Sequence, residues 1–419
     1  VRSRGLGDVY KRQMHIVYIS QEFPPSKRAG GIASYVKEIA DGMIRLGHQV
    51  TIVTASDDTR ISSDTVEDGI RVFRLSGGAF FVPSVEGGSK MKKLRVIYRF
   101  HSYRRKVLEA IKNLKDIDLI EVADYGAEGL YLGRMNVPVI LRLHTPSLLD
   151  IGTLEKVKAP LWKLHRLMVV KAEESVLESA KYVSSCSQSL LDWMNENVGF
   201  SPRRLTVIRN PIAFSSNEPI VSDVKKPTDG FTVFYAGTIT GTKGVQELYR
   251  ACERLNREGM NITLKLAGKQ GAYAENLKEE VSKGCNRWCQ FLGNLARKDL
   301  YTYYSNADVC CFPSWWENMP MVCLEAMSCG AVVIGSTSGG MKEIIEDGIN
   351  GFLSMPRNPD ELAGKLRMVL SMGKGETMRV RQAAQITIKE LFCTDVIAAK
   401  METFYDEVIK DFKTKETML

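Results

Sequence analysis

Short apolar runs alternate with segments of helical periodicity along the whole chain. Residues 15–20 (HIVYIS) form one such run, of the length expected for a buried strand. The loop QEFPPSKRAGG follows, then a helix whose apolar face comprises Ile32, Tyr35, Val36, Ile39 and Met43. Gly47 and His48 end that helix, and QVTIVT begins the next strand. Strand, glycine turn, helix, strand is a βαβ unit, which requires a parallel sheet. Residues 118–124 and 138–144, with a short helix between them, then 182–187 and 205–208, complete a first series of strands. A second series covers 231–237, 262–268, 290–293, 308–313 and 331–334. A helical pattern over 394–412 closes the chain.

A chain of 419 residues exceeds one ordinary hydrophobic core, so two domains are expected. With 44% hydrophobic and 25% charged residues it reads as globular and soluble. No apolar stretch reaches membrane-spanning length without a charge, and no secretory signal pattern is found. A cytoplasmic protein is the expectation. Residues 1–13 (VRSRGLGDVYKRQ) lack periodicity and precede Met14; they read as a non-native leader of adapter or vector origin. The polar, turn-rich residues 219–230 read as a linker. Nine cysteines, an odd number lying mostly in apolar runs, suit buried thiols in a reducing compartment. Cys285 and Cys289 lack a second ligand pair, so zinc is not expected.

The net charge is +8, and after residue 13 the basic excess lies in the first half. It concentrates in residues 90–115, where Glu109 is the only acid before Lys115 and Phe100, Tyr103, Val107, Ile111 and Leu114 recur at helical spacing. Such a helix can lie on an anionic membrane or attract a phosphorylated acceptor, which would put Arg104, Arg105 and Lys106 on the acceptor or membrane side. It can equally be a solvated face packed on its own sheet. No nucleic-acid motif accompanies it.

The candidate chemistry centres on residues 314–330, SWWENMPMVCLEAMSCG. Pro320 fits the first turn of a helix and Gly330 the position just past its end. Glu317 then lies in the preceding loop, and Glu325 one to two turns inside. A helix start suits an anion, a loop carboxylate can accept hydrogen bonds from sugar hydroxyls, and a second carboxylate can grip a vicinal diol. By spacing alone, solvated helix acids explain the pair equally well. Gly30 and Gly31 would let a phosphate approach the backbone, or simply make a tight turn. GxGxxG is absent, which argues against a nicotinamide oxidoreductase. His144 falls at the carboxyl end of its strand, where open α/β sheets bind ligands. Lys243, at a helix start after a strand, could neutralise a diphosphate or be an ordinary solvated lysine.

Taken together, Glu317, Glu325, AMSCG, the SGG of 338–340, KEII and DGINGFL resemble the donor site of retaining GT-B glycosyltransferases of family four, the glycosyl transferases group 1. PPxxxxGG before a helix ending in GHxV, the VIRNPI run and the loop ending in Lys243 and Gly244 extend the resemblance from about Met14 onward. It implies an α/β protein of GT-B architecture, two Rossmann-like parallel-sheet domains facing an inter-domain cleft. Residues 14–215 would be the acceptor side, 216–394 would bind the nucleotide sugar, and 395–419 would cross back to the first domain. Glu317, His144 and Lys243 take the catalytic roles. Donor-binding positions are Gly31, Thr238, Lys243, Asn318, Met319, Pro320, Met321 and Glu325, with Glu325 on the ribose. Thr238 departs from the family, which places an arginine there; a hydroxyl has neither the charge nor the fork of a guanidinium. Arg209 is the candidate to compensate. The implied reaction moves a hexosyl unit, with retention, from a UDP- or GDP-sugar to a hydroxyl of a glycan or glycolipid, as in polysaccharide biosynthesis. It needs no metal and no cofactor beyond the donor. The alternatives are a GT-B nucleotide-sugar epimerase and a noncatalytic sugar-nucleotide or glycan-binding subunit.

Overall fold

The computed structural model describes residues 12–26, 30–58, 60–78, 90–145, 160–214, 230–284 and 286–416. All but the last two residues of the expected leader, and all of the expected linker except Gly230, lie outside the described residues. The chain divides into two compact units: Val1–Ser184 with Ser201–Thr206 and Ala398–Leu419, and Ser185–Phe200 with Val207–Ile397.

The first sheet is built from β1 (His15–Ile19), β2 (Gln49–Ala55), β3 (Ser63–Glu67), β4 (Ile70–Leu75), β5 (Leu119–Ala123), β6 (Val139–Leu143), β7 (Tyr182–Ser185) and β8 (Arg204–Val207). Their order across the sheet is β3-β4-β2-β1-β5-β6-β7-β8. The pairings of β1 with β2 and β5, of β2 with β4 and of β5 with β6 are parallel. β1 and β5 are buried along their whole length, which is why they read as unbroken apolar runs. The β3–β4 hairpin, antiparallel at the sheet edge, is absent from the sequence reading. Its signal was Asp68–Gly69: both residues have positive φ, 51° and 80°, as a tight two-residue hairpin turn requires.

The second sheet has β9 (Phe231–Ala236), β10 (Ile262–Ala267), β11 (Cys289–Gly293), β12 (Val309–Cys311), β13 (Val333–Ser336) and β14 (Phe352–Ser354), in the order β11-β10-β9-β12-β13-β14. Every neighbouring pair in it is parallel. The helices are α1 (Gly31–Arg45), α2 (Lys90–Lys112), α3 (Pro160–Ser179), α4 (Gln188–Asn197), α5 (Val245–Arg257), α6 (Ala272–Lys283), α7 (Arg297–Asn306), α8 (Met321–Ser328), α9 (Pro359–Leu370), α10 (Lys374–Thr387) and α11 (Thr394–Glu416). Among the described residues, none of the eight cysteines forms a disulfide.

In the first unit α11 is fastened to the sheet by buried polar groups. Glu121 of β5 receives the Tyr35 hydroxyl at 2.7 Å on one oxygen and the Tyr405 hydroxyl at 2.7 Å on the other. Tyr18 and Tyr405 meet hydroxyl to hydroxyl at 3.2 Å. Burial pushes the Glu121 carboxyl up, while Arg142 and the two phenols hold it down. On either side of Tyr405 along the helix, Glu402 pairs with His48 at 3.0 Å and Asp411 accepts from Tyr182 at 2.8 Å.

Helix α2 corrects the reading of Arg104, Arg105 and Lys106 as one outward basic surface. Arg104 is 1% exposed. Its guanidinium donates to the carbonyls of Phe100 (2.7 Å), Ala127 (2.9 Å) and Gly126, and burial lowers its pKa to about 10. It lies one turn from Phe100, on the face carrying Tyr103, Val107 and Ile111, so it points into the unit. Lys106 donates to the Ser76 hydroxyl at 2.8 Å, and only Arg105 of the three is exposed.

Replacing Tyr405 by Phe removes one donor to a buried carboxylate. The first unit is expected to lose about 1–3 kcal/mol, read as a lower urea midpoint with unchanged slope. An unaltered midpoint would show that Glu121 does not depend on this hydroxyl.

Candidate active site

Strands β9 and β12 are neighbours, yet the chain proceeds from β9 outward to β10 and β11 before returning to β12. This is a topological switch point, where the loops at the carboxyl ends of adjacent parallel strands diverge and leave a crevice. The loop after β9 carries Thr238 and Lys243; the loop after β12 carries Glu317 and leads into α8. The loop after β13 carries the SGG sequence.

Backbone contacts lock these loops together. The Trp315 amide donates to the Thr242 carbonyl at 2.8 Å, and the Gly340 amide to the Glu317 carbonyl at 2.7 Å. A Cβ on Gly339, whose φ is 69°, would stand 2.0 Å from the Glu317 carbonyl oxygen; one on Gly340 would stand 1.7 Å from that of Asn318. The SGG sequence thus lets one backbone lie directly on another. Gly244 does the same in the Lys243 loop: its φ is 68°, and a Cβ would meet the Pro313 oxygen at 2.0 Å.

On this framework Lys243 donates to Glu317 Oε1 at 2.5 Å, and the Ser314 hydroxyl donates to the same oxygen at 2.8 Å. The lysine side chain is 33% exposed and the glutamate 16%. The nearby Tyr235 hydroxyl is pushed up in pKa by burial and then by the Glu317 charge, and donates to the Thr238 carbonyl at 3.0 Å. Thr238 itself is exposed.

Helix α8 is apolar on nearly every side and correspondingly buried, with Glu325 as its one acid. Glu325 is 9% exposed and accepts from the Tyr304 hydroxyl of α7 at 3.3 Å. Pro320 is the residue flanking the helix, with φ −72° and ψ 117°, rather than part of its first turn. Gly330 lies just past the end with φ 68°. Asn318 is buried and accepts from the Trp316 indole at 2.7 Å, and the Met319 carbonyl accepts from Asn210 at 3.3 Å. Pro320 and Met321 are buried beside them. The guanidinium of Arg209, the residue named as a compensating cation, lies over the Phe392 ring at 5.3 Å.

The structure therefore brings Glu317 and Lys243 into contact, places Thr238 and residues 318–320 on the same or adjoining loops, and puts Met321 and Glu325 in the helix that follows, all in the second unit. Gly31 and His144 belong to the first unit. Gly31 opens α1 and is exposed. His144 directly follows β6, is 5% exposed, and meets the Tyr35 ring edge-on at 4.6 Å. Burial, then Arg142, holds its pKa well below the usual imidazole value, so the ring is neutral at neutral pH. Tyr304, Ser314 and Tyr235 carry no site role in the sequence analysis, since a helix, a loop and an apolar run give them no distinguishing signal.

Residues 216–386 match the family described as Glycosyl transferases group 1, and residues 29–215 match Glycosyltransferase Family 4. The chain belongs to the group 1 glycosyltransferases. A glycogen synthase of Mycobacterium tuberculosis is 26% identical over 396 residues, covering 89% of this chain and 90% of that protein. Among solved structures, sucrose-phosphate synthase from Thermosynechococcus elongatus superposes with a TM-score of 0.77 at 22% identity, covering 95% of this chain and 100% of that one. Anabaena HepE in complex with UDP-glucose gives 0.67 at 19%, covering 95% and 100%. The fold is the GT-B class and the activity is glycosyl transfer. No helix among the described residues of this glycosyltransferase is long and apolar enough to cross a membrane.

Gly340→Ala is expected to cost the glycosyltransferase most of its activity, because its methyl group would displace the Asn318 carbonyl and with it Glu317. Initial rates on purified, folded variant check this; a fully active variant would show that the two loops can separate freely.

Proposed function

We propose that the enzyme transfers a hexosyl unit from a nucleotide-diphosphate sugar to an acceptor hydroxyl with retention of anomeric configuration and without a metal ion. The observation that carries this reading is the Lys243–Glu317 contact at the switch point, with the buried Glu325 on the helix that follows. A cation and two carboxylates so placed suit the three parts of such a donor. Lys243 leaves Glu317 for the diphosphate and stabilises the charge that develops as the glycosidic bond breaks. The Glu317 carboxylate, released, faces the sugar as it becomes oxocarbenium-like. Glu325 holds the ribose diol, with Tyr304 fixing one of its oxygens. The acceptor oxygen bonds to the anomeric carbon on the face the diphosphate leaves, and its proton passes to the departing diphosphate oxygen.

UDP-glucose is the first donor to test, because HepE carries it on the same fold. A glucan or other glycan is the first acceptor, by similarity to glycogen synthase. NMR of the product is expected to show the donor's anomeric configuration, with turnover unaffected by EDTA. An inverted product, or a converted sugar with no acceptor product, would overturn the reading.

The two glutamates separate in binding and rate. Glu325→Ala is expected to weaken nucleotide diphosphate binding by about 1.5–3 kcal/mol, since the ribose is present in that ligand. Glu317→Gln is expected to lower kcat by roughly a hundredfold or more. It should leave nucleotide diphosphate affinity equal or tighter, because Lys243 no longer has an ionic partner to give up. Calorimetry and transfer rates on the same preparations check both. Lost nucleotide affinity with intact kcat in Glu317→Gln would refute its role at the sugar.

A further inference from the structure

Trp315 sits two residues before Glu317, and each part of its side chain and backbone is engaged by a different segment. Its amide donates to the Thr242 carbonyl at 2.8 Å, immediately before Lys243. Its indole N–H donates to Glu247 Oε1 at 2.9 Å, in the first turn of α5 and just beyond Lys243. Its ring is covered by the guanidinium of Arg357, 4.0 Å from the ring centroid, from the turn between β14 and α9. Arg357 has φ 60°, a left-handed conformation that glycine or asparagine adopts more readily. An arginine held there, by its stacking on the indole, is a local cost that the surrounding structure sustains.

We infer that Trp315, clasped by Glu247 and Arg357, is a positioning residue that fixes the separation between Lys243 and Glu317 during transfer. This rests on the transferase reading of that site. The geometry supplies the reason. Lys243 lies between Thr242 and Glu247, the two residues around it that hold Trp315, and Glu317 is two residues along from Trp315 itself. When the donor parts the Lys243–Glu317 contact, that contact no longer holds the two loops together. The clasp does, and it keeps the cation at the diphosphate and the carboxylate at the sugar in register. Small displacements of such groups cost rate far more than they cost binding.

The discriminating change is at Glu247, outside the proposed contacts with donor. Glu247→Gln retains an oxygen that accepts from the indole; Glu247→Ala does not. With UDP-glucose or whichever UDP-, GDP- or ADP-sugar turns over, Glu247→Ala and Trp315→Phe are expected to lower kcat roughly tenfold or more, with donor KM little changed. Glu247→Gln is expected to restore kcat to near the unmutated level. Amide hydrogen exchange, read without substrate, forms the second arm: the Trp315 amide should exchange faster in Glu247→Ala but not in Glu247→Gln. Unchanged kcat in both Glu247→Ala and Trp315→Phe would overturn the inference. So would a Glu247→Gln variant as impaired as Glu247→Ala, or exchange at Trp315 that ignores Glu247. A protein that turns over no nucleotide sugar would instead refute the transferase reading, and the exchange arm would still decide whether the clasp exists. Should Trp315→Phe fail to fold, the Glu247 pair of variants carries the test.

Discussion

The contact between Lys243 and Glu317 depends on almost everything around it, and the chemistry depends on the contact. Two flexible, charged side chains in partly exposed positions gain little from pairing on their own. Here they meet because their loops are held together backbone to backbone, by glycines at 244, 339 and 340 that leave no room for a side chain. Parallel strand order delivers those loops to one edge, and the reversal of direction between β9 and β12 opens space beside them. A cation and a carboxylate, proposed above to meet the diphosphate and the sugar, can therefore neutralise each other without collapsing the site. In that proposal the pair is a closed contact that a more strongly charged diphosphate opens.

Glu325 and Glu121 illustrate two uses of a buried carboxylate in the same chain. Glu325 accepts from the Tyr304 hydroxyl at 3.3 Å, lies on a helix that begins beside Glu317, and is 9% exposed. Glu121 is saturated by Tyr35, Tyr405 and the field of Arg142, and ties α11 to the first sheet. Burying an acid is tolerable only with such partners. Glu121 serves structure, whereas the role proposed for Glu325 is at the donor.

Features that are local in sequence were legible in it. Glu317, Glu325 and Lys243 were singled out by the resemblance of the motifs around them, since their spacing alone suits solvated residues equally well, and the strand series pointed to the two-sheet α/β class. Partners distant in the chain were not legible: nothing along the sequence links Tyr304 to Glu325, Trp315 to Glu247, or Arg357 to Trp315. The β3–β4 hairpin escaped because β3, SDTVE, is polar and mostly exposed at a sheet edge, so an apolar run never marked it. Arg104 was misread because charge was weighed before helical position. Its spacing of four from Phe100 already placed it on the inward face.

A structure of the enzyme with a nucleotide-diphosphate sugar bound tests the central claim most directly. The account predicts that Lys243 Nζ has left Glu317 Oε1 for a diphosphate oxygen, that the Glu317 carboxylate faces the sugar, and that Glu325 contacts the ribose diol. A donor bound elsewhere, with the Lys243–Glu317 contact still closed, would contradict it.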